Sequence, residues 1–230
     1  MRDFLCNSAY FSIALSIIAY KFGMIVKDKL KFAIFNPLLI AALIIVAFLL
    51  VTGIPYEAYA LHADKLRYLL TPATVCLAVP LYEQFDLLKE NKKAIAIGIT
   101  SGVVANLVGV FVLALIFGLN HEQYVTMLPK SITTAIGIGV SEEFGGIATI
   151  TAVAIIITGV LGNIIAEFVC KTFHIEEPIA KGLACGTSAH AIGTAKALEM
   201  GELEGAVSGL AIAVTGVLTV ILASLFANLI

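Results

Sequence analysis

Apolar residues in this chain come in runs long enough to leave water altogether. Phe4 to Val26, Pro37 to Gly53, Ala94 to Leu119, Ile147 to Cys170 and Val207 to Ile230 are almost uninterrupted. About 20 such residues in a helix cross the hydrocarbon of a bilayer, so five spanning helices are predicted. Small residues inside the runs, such as Gly98, Ser101, Gly102 and Gly109, suit close helix packing in lipid. Three other segments differ. Leu69 to Phe85 carries Pro72 and Pro80, Leu128 to Gly146 carries Pro129, Gly137, Gly139, Gly145 and Gly146, and Leu183 to Gly201 carries Gly186, Gly193 and Gly201 with His190 and Lys196. Each is short, broken and polar for a lipid-facing helix. Irregular backbone at membrane depth is tolerated only where protein buries it or it lines a cavity. Function is therefore expected in these interrupted segments.

Blocks of sequence recur. Ala135-Ile136-Gly137 with Glu143-Phe144-Gly145 returns as Ala191-Ile192-Gly193 with Glu199-Met200-Gly201, and Thr158-Gly159-Val160-Leu161 returns as Thr215-Gly216-Val217-Leu218. A fainter echo links Glu83-Gln84-Phe85 with Glu142-Glu143-Phe144, and Ser101-Gly102-Val103…Asn106 with Thr158-Gly159-Val160…Asn163. Lysines crowd three connections: Lys27, Lys29 and Lys31; Lys89, Lys92 and Lys93; Lys171 and Lys181. The positive-inside rule places these in the cytoplasm and the N-terminus outside. That orientation closes only if Leu128 to Gly146 dips in from outside and returns. Each copy then holds one re-entrant segment and one span, and the two copies are inverted. Paired interrupted segments in repeats mark the binding site of many transporters. Eight plain spans are the alternative.

Composition agrees with a membrane protein: 60% of the 230 residues are hydrophobic and 13% charged, with a mean hydropathy of +1.03. A soluble domain carries about a quarter charged residues. The net charge of −2 gives no electrostatic reason to expect nucleic acid as a partner. With no Trp, an interfacial aromatic belt must use tyrosine, and Tyr10, Tyr20, Tyr56, Tyr59, Tyr68, Tyr82 and Tyr124 lie near the ends of apolar runs. Cys6, Cys76, Cys170 and Cys185 form no C-x-x-C pair and read as packing residues. The N-terminal apolar run reads as a retained helix, since it lacks a basic lead and a small-residue cleavage site.

Leu128-Pro129-Lys130-Ser131-Ile132-Thr133-Thr134, Gly186-Thr187-Ser188-Ala189-His190-Ala191-Ile192-Gly193-Thr194-Ala195, Pro72-Ala73-Thr74-Val75 with Ala78-Val79-Pro80-Leu81-Tyr82, and Gly201-Glu202-Leu203-Glu204-Gly205-Ala206 together resemble the LrgB (antiholin-like, CidB-related) family, in order and from about Leu66 to the end. Thr71, Ala135 and Ala189 depart from its usual Gly, Pro and Ser. The resemblance implies two roles: holin-like modulation of murein hydrolase export and lysis beside a small LrgA- or CidA-like membrane partner, or transport of pyruvate-like acids. The LrgB-like part of the plastid glycolate/glycerate translocator is similar.

Candidate substrate-binding residues are Lys130, Ser131, Thr133, Thr134, Thr187, Ser188, His190, Thr194 and Lys196, and Glu199 is a candidate proton-coupling carboxylate. An ammonium on Lys196 beside Thr194 and His190 could hold a carboxylate, or the lysine could snorkel to the interface. His190 could carry a proton or tie helices together. The hydroxyls of the Ser and Thr residues pair across the two copies, where half-helix N-termini could face an anion; they are also ordinary packing residues. Lys130 lies at a segment mouth, as attractor or anchor. Glu167, four residues before Lys171, reads as a helical ion pair. Neither a His-Glu-x-x-His site nor a Gly-x-Ser-x-Gly elbow is present, so no enzyme, catalytic residue, metal or cofactor is expected.

The expected fold is an all-α integral membrane bundle with interrupted, re-entrant segments and inverted repeats. Residues 1–65 form a two-helix scaffold and 66–230 the repeat region. The expected function is transport of a small monocarboxylate or hydroxy acid such as pyruvate, glycolate or glycerate, with an LrgA-like partner and as a homodimer, in the cytoplasmic membrane. The alternative is an antiholin- or holin-like regulator of murein hydrolase export and lysis.

Overall fold

The computed structural model describes residues 8–30, 35–69, 72, 75, 76 and 78–230. The start of the first span at Phe4, Cys6, Lys31, and Thr71, Ala73 and Thr74 of the proline-bearing segment lie outside the described residues. Every regular element among the described residues is helical. Tyr10–Leu30, Lys92–Phe117, Ala148–Thr172 and Glu202–Leu229 are long and apolar enough to cross a bilayer. This is an all-α membrane protein, built as two compact units, residues 1–76 and 77–230.

In the first unit, α1 (Ala9–Leu30) packs on α2 (Pro37–Thr52), followed by α3 (Tyr56–Ala63) and a 3-10 turn at Asp64–Leu69. Gly23 allows the first contact, since a Cβ there would lie 2.6 Å from the Pro37 carbonyl oxygen. The Tyr59 hydroxyl meets Ser16 at 2.8 Å. Helix α2 matches the predicted run to within one residue. The Asn36 side chain accepts from the N–H groups of Leu38 and Leu39, Pro37 takes the first turn, and Gly53 ends the helix in left-handed backbone (φ 64). Sixteen residues rise about 24 Å, less than the roughly 30 Å of hydrocarbon.

The second unit holds α4 (Ala78–Glu83), α5 (Phe85–Glu90), α6 (Lys92–Phe117), α7 (His121–Met127), α8 (Thr134–Glu143), α9 (Ala148–Thr172), α10 (Pro178–Met200) and α11 (Glu202–Phe226), with a final 3-10 turn. A stripe of Ile95, Ile99, Val103, Leu107, Val110 and Ala114 buries one face of α6, because residues three or four apart share a helix face. It packs in a core with Leu128, Ile132, Val207 and Ala211. Tyr124 belongs to that core and not to an interfacial belt: it is fully buried, and its hydroxyl donates to the Phe226 carbonyl oxygen at 2.9 Å.

Helix α10 folds back on itself. Ala189 (φ −131, ψ 18) and His190 (φ 42, ψ −138) leave the helical region. A Cβ on Gly193 would collide with the carbonyl oxygen of Cys185, eight residues earlier, which in an unbroken helix would lie about 12 Å away along the axis. Before the break Gly182 and Gly186 rest on the carbonyl oxygens of Glu204 and Ser208, so that limb runs parallel to α11. After it Thr194 meets Ser208 at 2.7 Å and Leu198 covers Gly205, so the return limb runs antiparallel. Helices α7 and α8 make the same shape around a turn at residues 128–133. A Cβ on Gly137 would lie 3.3 Å from the Pro129 carbonyl oxygen, again eight residues back. Thr126 and Thr151 fasten this first hairpin to α9: Ile147 N–H donates to Thr126 Oγ1 at 2.8 Å, and Thr151 Oγ1 donates to the Thr126 carbonyl oxygen at 2.9 Å.

The hairpins enter from opposite ends of α9, one before Ala148 and the other after Thr172. Both tips reach the middle of α6, where Gly102 meets Thr187 and Asn106 meets Ser131. Gly98 and Gly102 contact Leu183 and Thr187 in order, so α6 runs parallel to the first limb of α10. The Lys92 end of α6, Lys171 and Lys181 therefore share one end of the unit.

Candidate functional site

The two tips face one cavity of about 600 Å³. Its polar part lies along α6, with Asn106, Lys130 and Ser131 from one side and Thr187 and Ser188 from the other; α9 supplies an apolar wall of Leu161, Ile165, Ala166 and Val169. Glycines let the second hairpin come close to α6 and α9 at the cavity wall. A Cβ on Gly102 would sit 2.8 Å from Thr187 Oγ1, and one on Gly162 would collide with the Ala189 side chain. Cys170 and Ile175 line both this cavity and a vestibule of about 480 Å³ that also holds Glu167, Lys171, His174, Lys181 and Glu199. The site thus opens toward the lysine-bearing end.

Lys130 dominates the cavity. Its ammonium donates to Asn106 Oδ1 at 2.6 Å and to Ser131 Oγ at 3.1 Å, while Ser131 Oγ donates to the same Asn106 oxygen at 3.0 Å. Both partners are neutral, and none of the ion pairs among the described residues includes Lys130. A cation away from bulk water without a counter-charge is costly, and an anionic ligand offsets that cost. The hydroxyls of Thr187 and Ser188 donate to the carbonyl oxygens of Leu183 and Ala184 at 2.8 and 2.6 Å. They show lone pairs to the cavity unless a ligand draws the protons away.

Four of the candidates from the sequence, Lys130, Ser131, Thr187 and Ser188, line the cavity; the others do not. Thr133 and Thr134 begin α8, and the Thr133 side chain makes no capping bond. His190 forms the tip of α10, buried against Gly159. Its Nε2 lies 3.0 Å from the Ile155 carbonyl oxygen, which only accepts, so Nε2 carries the hydrogen. Left-handed backbone at a non-glycine residue costs on the order of 1–3 kcal/mol and is held by its surroundings. Thr194 Oγ1 donates to the His190 carbonyl oxygen at 3.1 Å.

Lys196 is placed differently from the substrate contact that its neighbours in sequence suggested. Its ammonium pairs with Glu167 at 2.5 Å and Glu199 at 3.1 Å, so two carboxylates already meet its charge at the vestibule. Glu199 is correspondingly a partner of Lys196. Glu167 also reaches Lys171, at 3.8 Å, so the helical pair read from spacing is one edge of a larger cluster tying the return limb of α10 to α9. Asn106 was missing from the candidates. Its signal was the echo that aligns it with Asn163, whose Nδ2 donates to the Ile192 carbonyl oxygen at 2.9 Å: each asparagine holds a hairpin. Of the cysteines, Cys170 and Cys185 are buried and free, whereas Cys76 is exposed.

A model of the LrgB-like family matches residues 16–229. The chain belongs to the LrgB-like family. Antiholin-like protein LrgB of Bacillus cereus (strain B4264) is 39% identical over 218 residues, covering 94% of this chain and 95% of that one. The protein of the same name from Bacillus anthracis (strain CDC 684 / NRRL 3495) gives the same figures. No solved structure matches. The family model spans both hairpins, α6, α9 and α11, so every residue of the cavity falls within it.

Proposed function

We propose that this chain is an antiholin-like membrane protein that acts on lysis through a carrier-type site for a small anion. The first half rests on the relatives, which are named antiholin-like; that name favours the lysis-regulating reading over carboxylate transport alone. The second half rests on one observation, the ammonium of Lys130 without a carboxylate partner in a cavity between opposed hairpins. A pore made only by plain spans needs neither feature.

Inverted repeats are part of this reading. Gly137 on Pro129 and Gly193 on Cys185 are equivalent contacts in the two hairpins. Gly159 of α9 meets Ile192, and Gly216 of α11 meets Ile136, a pair of contacts that a two-fold operation exchanges. Rocking of one such half against the other around a fixed site is the usual carrier motion. The chain is proposed to do so in the cytoplasmic membrane beside an LrgA- or CidA-like protein, and as a homodimer.

Uptake of labelled pyruvate, glycolate and glycerate into proteoliposomes, with and without the small partner, tests the carrier half. Saturable uptake is expected. A protein that takes up and binds none of them, yet still alters autolysis in cells, retains only the antiholin half. The lysine distribution gives a separate prediction. Single cysteines placed among Lys27 to Lys29 and Lys89 to Lys93, in a background without the native cysteines, should resist an impermeant thiol reagent in intact cells and react in inverted vesicles. Labelling from outside reverses the orientation.

A further inference from the structure

The cavity is large and lopsided for a three-carbon acid. Its roughly 600 Å³ is the room of about twenty waters at about 30 Å³ each, and a three-carbon acid on Lys130 would leave the far wall uncovered. The single cation, Lys130, stands against α6 with Ser131 and Asn106, and the α9 wall offers no charge, Thr158 being its one hydroxyl. Leu161, Ile165 and Val169 follow at four-residue spacing on α9, with Ala166, Ala184 and Cys185 beside them, an apolar strip about 12 Å long. A ligand that satisfies both sides carries one negative charge at one end and hydrocarbon at the other.

We propose that the site takes a monocarboxylate with an unbranched aliphatic tail, its carboxylate on Lys130 and its tail along the α9 wall. This rests on the carrier reading above and narrows its substrate class. In the unliganded arrangement Asn106 Oδ1 and Ser131 Oγ occupy the ammonium. A carboxylate adds the missing charge, while Ser131 can rotate to donate to it. A second carboxylate lying along the apolar wall, short of the vestibule lysines, would meet no cation in the cavity, so a dicarboxylate of that length is disfavoured by desolvation.

Equilibrium dialysis of the full chain in nanodiscs against labelled acetate, butyrate and hexanoate reads this directly. Saturable affinity should rise about fourfold for each added methylene, since burying one contributes about 0.8 kcal/mol. Adipate, with the chain of hexanoate and a second carboxylate, should bind at least tenfold more weakly than hexanoate. Ile165→Ser should lower the hexanoate-to-acetate affinity ratio. A flat series that still depends on Lys130, or adipate equal to hexanoate, overturns the aliphatic assignment and leaves the carrier reading standing. Absence of saturable binding for every carboxylate, including pyruvate, removes both. Equal binding of hexanoate by Lys130→Gln protein, or of its methyl ester by the wild type, means partition into lipid and likewise overturns the proposal. The wild-type series needs no variant, and gel filtration identifies any variant that fails to fold.

Discussion

Lys130→Gln is expected to weaken carboxylate binding by about tenfold to a hundredfold without loss of folding. A hydrogen bond between an ammonium and a carboxylate contributes about 1.5–3 kcal/mol net, and 1.4 kcal/mol is a factor of ten. The glutamine amide can still donate to Asn106 Oδ1, so the tie between the first hairpin and α6 survives. The unliganded protein should be no less stable, because the substitution removes a charge that faces only neutral partners and that is costly to hold away from bulk water. Affinity and melting temperature should therefore move independently. Lys130→Arg should recover only part of the affinity, since a planar fork does not replace a flexible point charge. Unchanged affinity in Lys130→Gln protein would move the anion site elsewhere.

Gly186→Val should have the largest effect on folding. A Cβ at that position would lie 2.6 Å from the Ser208 carbonyl oxygen and 2.7 Å from the Ala211 side chain. Backbone cannot turn aside as a long side chain can. The first limb of α10 would have to lift from α11, and Thr187 and Ser188 would leave the cavity with it. Overpacking costs typically about 1–3 kcal/mol, and here the clash is with main chain, so little monodisperse protein should be recovered. Gly109→Ala is the control: it lies in α6 and a Cβ there meets nothing within 4 Å. Its gel-filtration profile and melting temperature should match the wild type. A well-folded Gly186→Val protein would mean that the limb is not seated on α11.

The class of fold was legible because it depends on composition and run length alone. Five apolar runs in so hydrophobic a chain leave no soluble solution, and the interrupted segments announced themselves by glycine, proline and polar residues. The reach of α2 was legible as well, since Pro37 and Gly53 bound its run; that the Asn36 side chain caps it and that Gly53 takes left-handed backbone are facts of the folded chain. The sequence also placed the repeated blocks, since Gly137 and Gly193 sit in matching strings. That each rests on a carbonyl eight residues upstream, closing a hairpin, is a tertiary fact.

The site divides the same way. Lys130, Ser131, Thr187 and Ser188 could be listed together as polar residues in broken segments, but only the folded chain aims them into one cavity. Lys196 looked equivalent in sequence, a lysine near His190 and Thr194. A return limb running antiparallel to α11 and alongside α9 carries it instead to Glu167, far from it in sequence. Tyr124 was drawn into the core by a carbonyl oxygen 102 residues away. Hydrophobic runs determine which segments enter the membrane, because burial of apolar surface needs no particular partner. Which charges meet depends on where the turns set each limb, and that only the tertiary structure decided.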